Sequence, residues 1–193
     1  MDDCMEVGEA PAHVGSLVPV LIHRKHQVFV FKDLWSTDII QFHRELSRLS
    51  DIHLATAACG NDIICYGIHA LSMIYALLGP GAISAMNVGR PDANIARIRL
   101  KDERDVVLMV GERGKRRAGY QINLYGTNGW KTVTPDLTDL YTYLLEAFLD
   151  LSHSSNESVP IKEEIELIAV LEASQRSLEL GREVSLSEVL QAK

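Results

Sequence analysis

The chain has 193 residues, room for one domain with a hydrophobic core, or one domain and an appendage. Hydrophobic residues at 47% and charged residues at 23% exclude a mainly disordered chain. A formal net charge of −7 weighs against a dedicated nucleic-acid binder, which needs a basic field to displace counterions.

The three cysteines, Cys4, Cys59 and Cys65, form no CxxC pair, and the last two sit in apolar surroundings. They read as buried thiols of a reducing cytoplasm rather than as a disulfide framework. Asp2, Asp3 and Glu6 stand where a signal peptide would carry basic residues. The longest apolar run, Ile63 to Leu78, is broken by His69 and Ser72. It falls short of the roughly 20 residues that cross a bilayer. The expected location is cytoplasmic, with no membrane partner.

In chain order, residues 1–16 are small, acidic and punctuated by Pro and Gly, and read as a loose tail. Val28 to Phe31 reads as a short buried strand, followed by Lys32 and Asp33. Ser36 is placed to cap a helix running to Leu49. His53 to Ala58 reads as a second strand. Asn61 or Asp62 caps the next helix, which is apolar nearly all round and stops at Gly79-Pro80-Gly81.

The texture then changes from period 3.6 to period 2. Ile83 to Val88, Asn94 to Leu100, Val106 to Glu112 and Gly119 to Tyr125 are strand candidates separated by turn residues. The short connections predict hairpins, hence an antiparallel meander. The turn Gly126-Thr-Asn-Gly129 leads into a fifth strand, Trp130 to Val133. Helices over about 137–151 and 161–180 close the chain, joined by a polar loop. The expected class is α+β, a largely antiparallel open sheet with helices packed on one face.

No GxGxxG, GxxxxGK[ST], GxSxG or HExxH is present, and neither a cofactor nor a metal site is expected. His69 is the candidate catalytic residue, an imidazole inside an apolar helix. Two readings stay open. It is a core histidine donating to a backbone carbonyl, or it lines a cleft and exchanges a proton with a hydroxyl or carbonyl. Tyr66 lies three residues earlier on nearly the same helix face, so the two can pair. Between them, Gly67 admits either a ligand or a packed strand. Lys32, at a strand end, is the third catalytic candidate, set against an ordinary surface lysine. Arg97 and Arg99 share a strand face and could grip an anion or pair with acids. With Tyr120 they form the candidate substrate-binding set. The basic turn Arg113, Lys115, Arg116, Arg117 reads as a hairpin tip.

The segment Tyr66-Gly-Ile-His-Ala-Leu-Ser-Met-Ile-Tyr-Ala-Leu-Leu-Gly-Pro-Gly81 resembles the "YGIHAxExLYxLxGPG" helix of the glucose–fructose oxidoreductase, inositol dehydrogenase and MocA group, the Gfo/Idh/MocA family. Residues 159–186 are similar to that family's closing helix and strand, and Tyr125 to Gly129 to the turn before its last strand. The likeness covers about His53 to Leu186. It implies the substrate-binding and dimerisation domain of an oxidoreductase over residues 36–193. Residues 1–35 are then a tail with a remnant of the NAD(P)-binding Rossmann domain, otherwise lacking. The family histidine falls on His69. Its glutamate position holds Ser72, the aspartate position of the sugar dehydrogenases holds Cys65, and the lysine of its "EKP" motif corresponds to Lys32, followed by Asp33 instead of proline.

Hydride transfer needs a nicotinamide held against the substrate. The resemblance therefore implies a protein that binds a sugar-like or polyol-like ligand, with cofactor-free acid/base chemistry at His69. Its alternatives are the substrate subunit of a split dehydrogenase, with a Rossmann-domain partner protein, and a non-catalytic interaction protein. A homodimer through the open sheet face is expected, filled by residues such as Val107, Met109, Ile122 and Leu124.

Overall fold

The computed structural model describes residues 49, 51–111, 119–135, 141, 142, 145, 149 and 161–191. The expected tail, the strand at 28–31, Lys32, nearly all of the helix at 36–49, the basic turn and the 152–160 loop lie outside the described residues. The elements are β1 (Leu54–Gly60), α1 (Gly67–Leu78), β2 (Ala82–Asn87), β3 (Asn94–Leu100), β4 (Asp105–Gly111), β5 (Gln121–Gly126), β6 (Gly129–Val133), α2 (Ile161–Leu180), β7 (Val184–Ser185) and α3 (Leu186–Gln191). Residues 141, 142, 145 and 149 are also helical, inside the helix expected over 137–151.

Alternation makes the sheet. In β3, Ala96, Ile98 and Leu100 are buried while Ile95, Arg97 and Arg99 face the other way; in β4, Val106, Leu108 and Val110 are buried. The register pairs Ala96 with Leu108 and Arg97 with Val107, so each face is continuous across strands. Helices α1, α2 and α3 pack on the sheet through the buried face. The class is the one expected: a seven-stranded, mostly antiparallel open sheet with helices on one side.

The topology corrects the simple meander. β2, β3 and β4 are consecutive antiparallel neighbours, but β5 pairs with β1, not β4. The sheet order is β6-β5-β1-β4-β3-β2-β7, and β1 runs parallel to β4. Strand spacing is about 4.8 Å. The residues between Gly111 and Gln121 need only step over one strand, a short reach for that length of chain. Short connections favour hairpins, but this one is long enough to cross β1. The strand that inserts is nearly all small, Leu-Ala-Thr-Ala-Ala-Cys-Gly, and Ala55 and Ala57 are fully buried under α1. Small side chains there let α1 come down onto the sheet with Leu71 and Ile74 fully buried.

A consequence is that the four apolar residues expected to share the open face divide. Val107 and Met109 are on it, half-buried; Ile122 and Leu124 are in the core beneath the helices. Pairing β5 with β1 places Ile122 opposite Ala57 and Leu124 opposite Ala55, both core residues, and so fixes their side.

Gly67 supports packing. A Cβ built there would lie 3.2 Å from Ile63 Cγ1 and 3.4 Å from Val110 Cγ2. The missing side chain lets α1 seat against β4. At Gly89 the close approach is to backbone: a Cβ would meet the Ala93 carbonyl oxygen at 2.2 Å, so the β2–β3 turn requires glycine.

Buried polar groups tie the layers together. Glu166 of α2 accepts three hydrogen bonds on one oxygen, Oε1: from Tyr75 Oη at 2.6 Å, Gly81 N at 2.6 Å and Ala82 N at 2.8 Å. Ser177 accepts from Asn87 N and donates to the Arg182 carbonyl. Asn87 in turn donates to Asn94 and accepts from Gly89 N and Ile95 N, bracing the β2–β3 turn. These contacts satisfy donors that burial would otherwise penalise.

Candidate functional site

The register brings Gly60 opposite Gly111, so the C-terminal ends of the parallel strands β1 and β4 meet at one rim of the sheet. β5 begins at the same rim, with Gln121 opposite Ala58. Clefts outside the C-terminal ends of parallel strands are favoured ligand positions. Three of the sequence-selected residues arrive here. Tyr66 and His69 follow β1 through the turn into α1, and Tyr120 immediately precedes β5.

Asp62 builds that turn. Its Oδ1 accepts from Ile64 N at 2.8 Å and Cys65 N at 3.1 Å, and its carbonyl accepts from Tyr66 N and Gly67 N. Neither capping candidate caps the helix itself: α1 starts at Gly67 with Tyr66 at its N-cap position and no side-chain cap, and Asp62 braces the turn before it. Asn61 takes a left-handed backbone, φ 76°, where the chain leaves the strand. His69 N then donates to the Tyr66 carbonyl, which fixes the two residues relative to each other.

The His69 ring lies between two tyrosines. Its centroid is 6.3 Å from that of Tyr66 at an interplanar angle of 79°, and 6.3 Å from that of Tyr120 at 83°. Both contacts are edge-to-face, a favourable arrangement for aromatic quadrupoles. The Tyr66–His69 pair anticipated from helical spacing is therefore present, and Tyr120 closes it from the sheet. His69 is only half-buried, yet the atoms around its ring desolvate it. Burial pushes the imidazole down to about 4 from its ordinary 6.5. At neutral pH the ring is uncharged, with one nitrogen that donates and one that accepts.

Arg97 and Arg99 do not join this cluster. They share a face, as expected, but it is the Val107 face, and α1 lies on the Leu108 and Val110 face. The sheet stands between them and His69. Both are ion-paired: Arg97 with Glu183 at 3.0 Å, and Arg99 with Asp105 at 3.0 Å. Glu183 also accepts from Ser84 Oγ. Of the two readings of these arginines, the ion pair is the one seen. Lys32 lies outside the described residues.

Ser72 and Cys65, at the family's two acidic positions, supply no carboxylate here; Ser72 is buried and Cys65 half-buried. Burial pushes the Cys59 thiol up to about 12, which makes it an inert packing group. Among the described residues, no cluster of three or more His, Cys, Asp or Glu is arranged to hold a metal ion. Nor is any helix there long and apolar enough to cross a membrane. The N–H groups of the turn entering α1, which could have received a pyrophosphate, are taken by Asp62.

Glu166 is the residue that sequence reading missed. Its signal was an acid in helical register with Val170, Ala173 and Ser177, all buried. An acid on a buried stripe needs donors, and the Gly81 and Ala82 N–H groups, where the Gly79-Pro80-Gly81 turn enters β2, supply two of the three.

No family model matches the sequence, and no curated protein matches it. Solved structures do match in fold. Myo-inositol 2-dehydrogenase from Lactobacillus plantarum is 13% identical, with a TM-score of 0.64 over 89% of this chain and 68% of its own. Scyllo-inositol dehydrogenase from Lactobacillus casei, solved with NAD(H) and scyllo-inositol, is 13% identical, with a TM-score of 0.63 over 82% and 64%. A myo-inositol dehydrogenase from Corynebacterium glutamicum is 11% identical, with a TM-score of 0.64 over 81% and 63%. The chain thus spans about two thirds of the length of each. The chain has the α+β fold of the C-terminal domain of the Gfo/Idh/MocA-type inositol dehydrogenases.

Proposed function

We propose that this domain binds a polyol-like or sugar-like ligand at the rim formed by Tyr66, His69 and Tyr120. The observation that supports the reading most is the uncharged imidazole held edge-on by two tyrosines where β1 and β4 end. A polyol is uncharged, rich in hydroxyl groups and apolar on its C–H faces. Aromatic rings accommodate the C–H faces, and a neutral imidazole accepts a hydrogen bond from a hydroxyl without the cost of burying an ion. The neighbours with inositol in their names share this fold, and that favours the same ligand class.

The chemistry available to His69 follows from its low proton affinity. A base whose conjugate acid has a pKa near 4 holds a hydroxyl proton poorly unless another event makes that hydroxyl acidic. In this reading His69 orients the hydroxyl in the resting complex. It takes the proton only as the ligand is activated.

Isothermal calorimetry with myo-inositol and a panel of sugars tests the binding. His69→Ala should weaken the best ligand at least tenfold, about 1.4 kcal/mol, while the circular-dichroism spectrum stays unchanged. Equal affinity in the variant would remove His69 from the site.

The same reading places a second copy on the open sheet face. Val107 and Met109 are half-buried there, Ile95 and Trp130 are exposed, and Arg97 and Arg99 are already neutralised by Glu183 and Asp105. A face with apolar patches and internally balanced charge suits association with its own copy. Light scattering on the eluting protein should give twice the chain mass, and Val107→Asp together with Met109→Asp should give the single-chain mass. A monomer before mutation would exclude the interface.

A further inference from the structure

We propose that Glu166 is a positioning residue for His69, acting through Tyr75 and the register of α1. The proposal rests on the reading of Tyr66, His69 and Tyr120 as the ligand site. α1 is a twelve-residue helix without a charged residue, and its described surroundings are mainly apolar. Apolar packing resists removal from the core better than it resists a small rotation or slide, because its contacts are not directional. A hydrogen bond to a carboxylate is directional and strong.

The geometry puts that directional contact at one point. Tyr75 is buried, and its Oη donates to Glu166 Oε1 at 2.6 Å. The same oxygen accepts from Gly81 N and Ala82 N, where the chain turns into β2. One atom of α2 thus fixes both the rotation of α1 and the point at which the chain enters the sheet. Tyr75 follows His69 by six residues, which at about 100° per residue places it roughly 120° around the helix from the imidazole, on a different face. A rotation of α1 released at Tyr75 therefore moves His69 relative to Tyr120, which leads into β5 and does not rotate with the helix. Tyr66 immediately precedes α1 and its carbonyl accepts from His69 N, so that contact would change less.

The test uses the whole chain, with isotope labelling and assignment of the His69 ring signals by their loss in His69→Ala. The His69 ring protons sit in the ring-current fields of Tyr66 and Tyr120. Tyr75→Phe removes one hydroxyl and keeps the aromatic volume. It should leave the secondary structure intact and shift the His69 ring signals. Asn94→Ala, which disturbs the distant β2–β3 turn, should leave those signals in place although it also lowers stability. Glu166→Gln is the second variant, read in the same way should Tyr75→Phe fail to fold. It keeps an oxygen acceptor but loses the charge, and it should shift the signals in the same direction by less. His69 signals unmoved in a folded Tyr75→Phe or Glu166→Gln protein would overturn the proposal, as would an equal shift in Asn94→Ala. Because the readout needs no ligand, an absence of polyol binding would count against the site reading alone.

Discussion

Leu108→Ala is expected to lower the unfolding free energy by roughly 3 kcal/mol, whereas Val107→Ala next to it changes it by less than about 1 kcal/mol. Leu108 is fully buried, and its Cδ2 reaches the space that Gly67 leaves open under α1. Removing three carbons there deletes the transfer contribution and leaves a cavity between a helix and a sheet that cannot easily collapse. Val107 points to the open face, opposite Thr56 on one side and Arg97 on the other. Urea denaturation of both variants measures the contrast. It also tests the register, because slipping β4 by one residue would exchange the two faces and reverse the order of the effects. Equal losses would contradict the face assignment, unless the open face is covered by a second copy. Repeating the measurement at protein concentrations low enough to dissociate that copy separates those cases.

The strands themselves were legible because period 2 is strong where a sheet has one covered and one uncovered face. β3 alternates Ala96, Ile98 and Leu100 on the covered face with Ile95, Arg97 and Arg99 on the other, and its limits, Asn94 and Leu100, came directly from the sequence. α2 was equally clear, 161–180, because its stop lies at Gly181 in a left-handed backbone, φ 64°. The order of the strands was not legible in the same way. β1 has no alternation of polar and apolar residues to advertise that it lies in the middle of the sheet. Its alanines mark closeness to α1, a fact about packing between segments and not about the segment itself. The placement of β5 then followed β1, and with it the side taken by Ile122 and Leu124.

The candidate site divides along the same line. Tyr66 and His69 are three apart on one turn, so local geometry was enough to join them. Tyr120 is far away in sequence, and only the insertion of β1 between β4 and β5 brings it to the end of α1. Arg97 and Arg99 looked just as suitable as ligand groups, since spacing tells that they share a face but not which face. Their acids, Asp105 six residues on in the next strand and Glu183 at the far end of the chain, are ordinary surface residues until the sheet is assembled. Glu166 shows the reverse case: an acid whose position on a buried stripe implied partners, while the partners themselves lay across the α1–β2 turn.

Lowering the pH from 7 to 4 should cost the protein roughly 3 kcal/mol through His69 alone. The imidazole binds a proton near 6.5 in the unfolded chain and near 4 when folded. Between those values the unfolded state carries more protons, so acid favours unfolding; the contribution is fully present above pH 6.5 and falls away as pH drops toward 4. Carboxylates that lose their partners will add to the acid sensitivity, so the quantity that isolates His69 is a difference. The stability of His69→Gln, which has no group titrating in this range, is measured against the native chain at pH 7, 5.5 and 4. The native chain should lose more than the variant at each step below 6.5, with the gap widening steadily. Parallel curves would mean that the ring is protonated as easily in the fold as outside it. The pair of tyrosines would then not desolvate it, and the neutral acceptor on which polyol recognition rests would be absent. Adding a ligand that bonds to the neutral ring should move the folded-state midpoint lower still, since such a ligand leaves when the ring gains its proton.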